Sequence, residues 1–412
     1  MFQSRFMNIN NTLPKDKLWT QSFISACIGN FLLFFAFYLL LPVLPLYLIE
    51  KFHTTKAMAG VILSCYTLVA LVIRPAAGFI LDMFNRKPIY LFAYGLFTLT
   101  FVGYPLVTFV TAFFFLRILH GLTYGLVSTA GNSLIVDIMP SSRRGEGLGY
   151  FGVANNIAMA VGPMISLFMH DYYSFDAIFY LSIGSGVLGF IVASTIQSKK
   201  RIAKTVKQPI AFDRFFLVKG LNAGFSLLLL GIPYGMITTY VAIYGKELGI
   251  HSGMGVFFSL MAVGLMSSRM FAGKQVDKGK MNQVITIGIA ICLIALFTLS
   301  GLNLLDSGYK SIIIVLFYGV AVLLGIGYGM IFPAFNTLFV NLALNNRRAT
   351  ASSTYLTSWD LGVGTGLIIG GYFADTAGGL PLSFLVGALL SAFSFVFFIS
   401  IAGPHYLKNK LH

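Results

Sequence analysis

Twelve apolar runs, each close to the length that crosses a bilayer, leave this chain little choice of fold. About 20 apolar residues at the helical rise span roughly 30 Å of hydrocarbon. Backbone polar groups in lipid are satisfied only inside helices or closed barrels. The runs predict helices at 21–48, 57–81, 88–107, 110–138, 147–169 and 175–196, then at 214–244, 254–276, 283–303, 311–340, 348–373 and 381–403. The expected fold class is an all-α membrane protein. Composition agrees, since 57% apolar residues, 10% charged residues and a mean hydropathy of +0.84 lie far outside the range of soluble domains.

The polar stretch 197–213, too short and too basic for a folded domain, divides the runs into two sets of six. The expected organisation is an N-terminal segment 1–20, a six-helix bundle 21–196, a basic linker 197–213 lying along the lipid surface, a second six-helix bundle 214–403 and a tail 404–412. Residues 1–19 hold no short apolar core with a small-residue cleavage site, so the first run is expected to act as the insertion signal. Short loops rich in Lys and Arg stay on the cytoplasmic side. With both termini inside, only Lys51, Lys56, Lys246 and Lys310 of the 28 basic residues fall outside, and Arg74, Arg117 and Arg269 fall within the membrane. The net charge of +15 therefore reads as a topology signal for a multi-pass plasma-membrane protein, with the lipid bilayer as partner and no nucleic acid. Cys27, Cys65 and Cys292 lie in apolar runs without metal or disulfide spacing, so no metal site is expected and the thiols read as packing residues.

The two sets of six are related by an internal repeat. Arg74, Gly78 and Asp82 in RPAAGFILDMFNRK recur as Arg269, Gly273 and Asp277 in SSRMFAGKQVDKGK. Spacings of four place each trio on one helical stripe, where a glycine admits a close neighbour. Further on, an offset of 325 minus 121, or 204 residues, aligns the halves without gaps. It matches Gly121, Tyr124 and Gly125 with Gly325, Tyr328 and Gly329, Asn132 with Asn336, Asp137 with Asn341, and Gly162 with Gly366. Parallel repeats imply a pseudo-two-fold axis along the membrane normal and a path between the halves, the architecture of alternating access.

With these motifs in place, the chain resembles a major facilitator superfamily transporter over nearly its whole length, and among that family the twelve-helix drug and metabolite proton antiporters. Gly78, Asp82, Arg86 and Lys87 resemble the loop motif after the second helix, with Met83 for a usual basic residue and Asn85 for a usual glycine. Arg117 to Gly121 resembles the arginine motif of the fourth helix, with His120 where Gln is commoner. Gly149, Gly162 and Pro163 resemble the helix-contact motif of the fifth helix, with Ala158 and Ser166 in place of glycines. The resemblance implies two pseudo-symmetric six-helix bundles and a monomer that needs no cofactor beyond a proton gradient. It also implies a central cavity lined by the first, fourth, seventh and tenth helices.

Candidate site residues follow from chemistry and place. Asp82, Arg86 and Asp137 read as a gating charge cluster at helix ends, with solvated loop charges as the plainer alternative. Arg117 lies deep in the fourth helix, where an arginine must face the interior and find acceptors; a structural tether meets that need as well as a coupling role does. His120, one turn further on, is a candidate proton carrier or a merely hydrogen-bonded ring. Asp360 is the carboxylate nearest mid-membrane and completes the coupling candidates. Arg74 and Arg269 are open to two readings, snorkelling to lipid phosphates or gating, and stand outside the candidate set. Asn30, Tyr38, Tyr124, Asn132, Tyr234, Thr238, Tyr328 and Asn336 are the cavity candidates, a mix of phenols and amides that suits an amphipathic or neutral organic solute. Three functions remain open: proton-coupled efflux of a small amphipathic compound, proton-coupled or passive uptake of a small nutrient, and a membrane-embedded enzyme or receptor. The last finds no metal-spaced cluster or nucleophile elbow.

Overall fold

The computed structural model describes residues 17–140, 143–198, 216–250, 253–344 and 348–411. The linker from 199 onward lies outside the described residues, as do the side chains of Asp82 and Asp277. Helices alone are present among the described residues, with no strand. The first crossing, read above as one helix, is two: α1 (Gln21–Leu40) and α2 (Val43–Phe52). The break falls at Leu41 and Pro42 because Pro42 and Pro45 lack backbone donors and their rings crowd the preceding turn. Then come α3 (Lys56–Met83), opened by a Thr55 cap on the Met58 N–H, α4 (Arg86–Leu106), α5 (Val110–Ile138), α6 (Arg144–Tyr172) and α7 (Phe175–Ser194).

The second half repeats the plan with α8 (Leu221–Glu247), α9 (Met254–Asp277), α10 (Met281–Gly301), α11 (Lys310–Asn341), α12 (Arg348–Ala374) and α13 (Gly379–Phe397). A π-helical segment, Phe398–Ala402, carries α13 into α14 (Gly403–Asn409). The tail expected from 404 is thus helical to Asn409, and the Leu411 N–H donates to the Asn341 carbonyl at 2.9 Å. Eleven helical stretches of the described residues are long and apolar enough to cross a bilayer. The twelfth crossing, α12, is not among them because its first half, RATASSTYLTSWD, is polar. Its place explains the polarity: α12 packs against α8 in its own half and α3 in the other, away from lipid.

Within the first half, α3 packs on α5, α4 on α5 and α7, and α1 on α6 and α7. Within the second, α9 and α10 pack on α11, α8 on α12 and α13, and α10 on α13. Lipid tails are as apolar as the helices, so close backbone approach rather than the hydrophobic effect holds such pairs. A Cβ on Gly121 or Gly125 would strike α3 at Tyr66 and Ala70, and one on Gly325 or Gly329 would strike α9 at Met261 and Leu265. The repeated glycines therefore make the same contact in both halves. Gly149 behaves differently from its expected helix-contact role, since nothing lies within 4 Å of a Cβ placed there. Gly121→Val should cost about 1–3 kcal/mol by overpacking and lower the unfolding temperature in a thermal-shift assay, whereas Gly149→Val should leave it within a degree or two.

Candidate functional site

The halves meet along two seams, α3 against α12 and α6 against α9. One end of the bundle, the terminal end, carries the first and last described residues, 17 and 411; the far end carries the turns at 53–55, 173–174, 248–250 and 375–378. From the far end inward the first seam is tight. Cβ atoms on Gly371, Gly60 and Gly364 would meet Lys56, Leu367 and Thr67 of the opposite half. Tyr240, which donates its hydroxyl hydrogen to the Leu367 carbonyl of its own half at 2.7 Å, lies 3.3 Å from the Lys56 carbonyl across the seam. The second seam closes in the same way, with Gly255 against Met164 and Phe168.

Two aspartates lock this end. Asp375 Oδ1 accepts from the Lys56 N–H at 3.1 Å and Oδ2 from the Ala57 N–H at 2.7 Å, so a carboxylate of the second half caps the first turn of α3. Asp171 Oδ2 accepts from the Gly253 N–H at 2.7 Å and caps α9 from the first half. A carboxylate at a helix N-terminus meets unpaired donors and the positive end of the dipole. Asp171 and Asp375 are 204 residues apart, the repeat offset already noted, so the two caps are one device used twice. Around them Lys56 pairs with Glu247 at 2.5 Å and Lys246 with Glu50 at 2.9 Å, partly exposed pairs of modest worth.

Deeper along the first seam stands Arg74 of α3, whose Nη1 lies 2.6 Å from Asp360 Oδ2 of α12. Only 16% and 21% of these side chains reach solvent, so the pair is held in a poor dielectric where each charge depends on the other. Asp360 is also the one charged residue lining a cavity of ≈ 50 Å³ formed by Phe37, Tyr38, Tyr66, Tyr124, Tyr234 and Trp359 together with aliphatic neighbours. An adjoining cavity of ≈ 30 Å³ shares Tyr38, Tyr234 and Thr238 and is lined by Pro163 and by Phe258, Met261, Ala262 and Leu265 of α9. Both are small beside the roughly 300–1,000 Å³ of sites that enclose drug-sized ligands. The centre is contracted, and a cargo needs the halves to part there.

Beyond this level the seams separate toward the terminal end. Gly78, one turn past Arg74 on the same stripe, has open space around it, and so has Gly273, one turn past Arg269. Asn132 and Asn336, two turns past Tyr124 and Tyr328, are exposed. Neither lines the two cavities. Arg86 of α4 pairs with Asp137 of α5 at 2.9 Å and donates to the Ser133 carbonyl at 2.8 Å, a link inside the first half. The third member proposed for that cluster, Asp82, has its side chain outside the described residues. The second half lacks the equivalent of the Arg86–Asp137 pair: Asn341, the counterpart of Asp137, donates to the Tyr406 hydroxyl at 3.2 Å.

The other candidates divide. Tyr38, Tyr124, Tyr234 and Thr238 line the cavities; Tyr328 is buried behind Tyr234 with its hydroxyl donating to the Leu230 carbonyl, and Asn30 is buried donating to the Phe151 carbonyl. Gly162 packs on the Tyr38 and Leu39 backbone, which sets α6 against the end of α1. Arg117 and His120 do not meet Asp360. Arg117 donates to Leu63 O and Tyr104 Oη, each at 3.1 Å, and its guanidinium lies 4.4 Å over the Tyr66 ring. Having accepted from Arg117, the Tyr104 hydroxyl donates to His120 Nδ1 at 2.5 Å, and Phe37, Phe97 and Phe101 wall in the imidazole. The partner of Asp360 is instead Arg74, which sequence reasoning left outside the candidate set. The pair joins helices far apart in the chain, and nothing local to RPAAG announces it.

Two pseudo-symmetric helical halves, closed at one end around an aromatic cavity with an ion pair at its wall, define a secondary transporter of the alternating-access kind. The Major Facilitator Superfamily profile matches residues 26–362 and 313–411, and the chain belongs to that superfamily. It is a membrane transporter and not an enzyme. The staphylopine export protein of Staphylococcus aureus is 22% identical over 367 residues, 85% of this chain and 89% of that protein. The quinolone resistance protein NorA of the same organism is 26% identical over 393 residues, 92% of this chain and 96% of that protein. Among solved structures, a peptide transporter POT mutant in complex with sulfate superposes with a TM-score of 0.78 at 14% identity, covering 95% of this chain and 96% of that one.

The aspartate caps set the expected behaviour of the closed end. At about 0.5–1 kcal/mol for each cap, Asp171→Asn combined with Asp375→Asn should shift the balance away from the far-end-closed state by roughly 5- to 30-fold. Pulsed EPR distances between spin labels at positions 173 and 309, on a cysteine-free background, should then gain a longer component that the parent protein lacks.

Proposed function

We propose that this transporter exports a small amphipathic organic compound, a drug or metabolite, across the plasma membrane in exchange for protons, with both termini cytoplasmic. The observation that carries the reading is the Arg74–Asp360 pair, which crosses from one half to the other at the wall of the cavity. While Asp360 is ionised it holds α12 to α3. A proton on Asp360 removes that attraction, leaves Arg74 without its counter-charge and frees the seam to part. Proton binding and the arrangement of the cavity are thereby coupled at one residue, which is what exchange requires. The names of the two relatives support the outward direction. The excess of Lys and Arg at the terminal end supports its cytoplasmic placement, so the conformer described above corresponds to one open to the cytoplasm. The cavity lies within a single chain, so a monomer suffices. Arg117 and His120 brace the first half beside the path and stand behind Asp360 as coupling groups.

Inverted vesicles with an acid interior test the reading. Compounds that are cargo should be taken up and should release protons as they enter; accumulation only in right-side-out vesicles would point to uptake instead. Asp360→Asn should keep exchange of cargo down its own gradient and lose accumulation driven by the pH gradient. Arg74→Gln should slow both, because an ionised Asp360 then lacks its partner in every state. Gradient-driven accumulation at the native rate in Asp360→Asn would remove Asp360 from the coupling role.

Asp82, Arg86 and Asp137 are proposed to latch the terminal end when the far end opens. Asp82→Asn should abolish turnover with insertion and yield intact. Asp277→Asn should be milder, since the counterpart of Asp137 in the second half is the neutral Asn341. Turnover assays of the two variants side by side check the asymmetry, and equal losses would indicate a symmetric role.

A further inference from the structure

The first-half seam has an arginine with a carboxylate; the second has an arginine without one. Arg269 stands 269 minus 74, or 195 residues, after Arg74 in the repeat, and Gly255 stands the same distance after Gly60, so α9 presents to the second seam what α3 presents to the first. The position that the 204-residue offset puts in place of Asp360 is 156, and it is an asparagine. Arg269 makes no ion pair among the described residues, and its Nε is buried without a hydrogen-bond partner. Among the described residues, the titratable groups that act on it are the phenols of Tyr355 and Tyr234, which are neutral.

Its setting points inward. Phe258, Met261, Ala262 and Leu265 line the smaller cavity along one stripe of α9, and Arg269 continues that stripe one turn beyond Leu265 toward the open terminal end. Beside it Tyr234 forms an aromatic cluster with Trp359, Tyr328 and Phe332, with ring centroids 4.9 Å apart for Tyr234 with Trp359 and with Tyr328, and 4.6 Å for Phe332 with Trp359. A half-buried guanidinium without a counter-ion is costly in a membrane protein unless a ligand supplies the charge.

We propose that Arg269 recognises a carboxylate on the cargo, so that the transported compound is an amphipathic organic monoanion whose apolar or aromatic body lies against Tyr234 and Trp359. The proposal rests on the transport reading above and sharpens its substrate class. With Arg74 neutralised by Asp360, the site carries one uncompensated positive charge, and one carboxylate cancels it. The planar fork of Arg269 matches that group in two parallel hydrogen bonds.

Trp359 provides the reporter, because Trp19 is the only other tryptophan in the chain. A Trp19→Phe protein in phospholipid nanodiscs is titrated with 2-naphthoate and biphenyl-4-carboxylate, each beside its uncharged primary amide, and quenching of Trp359 is read. The acids should bind about 10- to 100-fold more tightly than the amides, the range of one charge-assisted contact. Arg269→Gln should erase that difference, with an unfolding transition at the parent temperature showing the variant folded, and Arg269→Lys should keep most of it. Equal binding of acid and amide, an acid preference that survives Arg269→Gln, or an Arg269→Gln effect confined to nanodiscs of anionic lipid would overturn the proposal, the last by assigning Arg269 to lipid phosphate. The export reading fails separately. Acids that bind through Arg269 yet are not driven by a pH gradient in inverted vesicles would remove export and leave the recognition site standing. Compounds pumped equally by the parent and Arg269→Gln would do the reverse.

Discussion

Close approach of helix backbones is the constraint on which the rest of this structure depends. In a bilayer no water is expelled when two helices meet, so attraction comes from contact at short range, and contact at short range requires residues without bulk. Gly121, Gly125, Gly325 and Gly329 bring α5 onto α3 and α11 onto α9 inside the halves. Gly60, Gly364, Gly371 and Gly255 bring the halves onto each other. The first group is bound to stay closed. The second has to open and close, and its glycines cluster toward one end, which makes each seam a hinge rather than a wall.

Electrostatics then decide how far each seam closes. At the far end, carboxylates meet backbone donors across the halves, through Asp375 on α3 and Asp171 on α9. Midway, Arg74 meets Asp360. Past that level Gly78 and Gly273 look into open space, and the Arg86–Asp137 pair ties α4 to α5 instead of one half to the other. One set of interactions is engaged at one end while the other end stands apart, as a two-state mechanism demands.

The twelve crossings, the two halves and the family were legible in the sequence because each is written in long apolar runs and a gapless repeat. What was not legible is what depends on kinks and on pairing across the halves. The break at Leu41 and Pro42 is hidden inside an unbroken apolar run. Arg74 reads locally as a lipid-facing residue, and its partner lies nine helices later in α12. Arg117 and His120 stand beside Asp360 as coupling candidates on chemistry alone, but Tyr104, Leu63 and Tyr66 occupy Arg117, and Tyr104 occupies His120. Asp171 and Asp375 could have been found. They obey the repeat offset used for Gly162 and Gly366, and each sits just beyond or at the end of a predicted span, where a retained acid has a reason to be.

The far-end caps use main-chain hydrogens of α3 and α9 as their donors, and this shapes how the closed end tolerates change. A gate built from lysine and glutamate pairs can be lost by substitution on either side. Here the donor side is peptide backbone, which any residue other than proline supplies at Lys56 and Ala57, whereas at the start of α9 Gly253 holds a left-handed φ of +80° and Gly255 leaves no room for a Cβ against Met164. At the start of α3 the requirement falls on the carboxylate of Asp375; at the start of α9 it is shared between Asp171 and the two glycines. The closed end therefore tolerates exchange of side chains at the start of α3 more readily than at the start of α9.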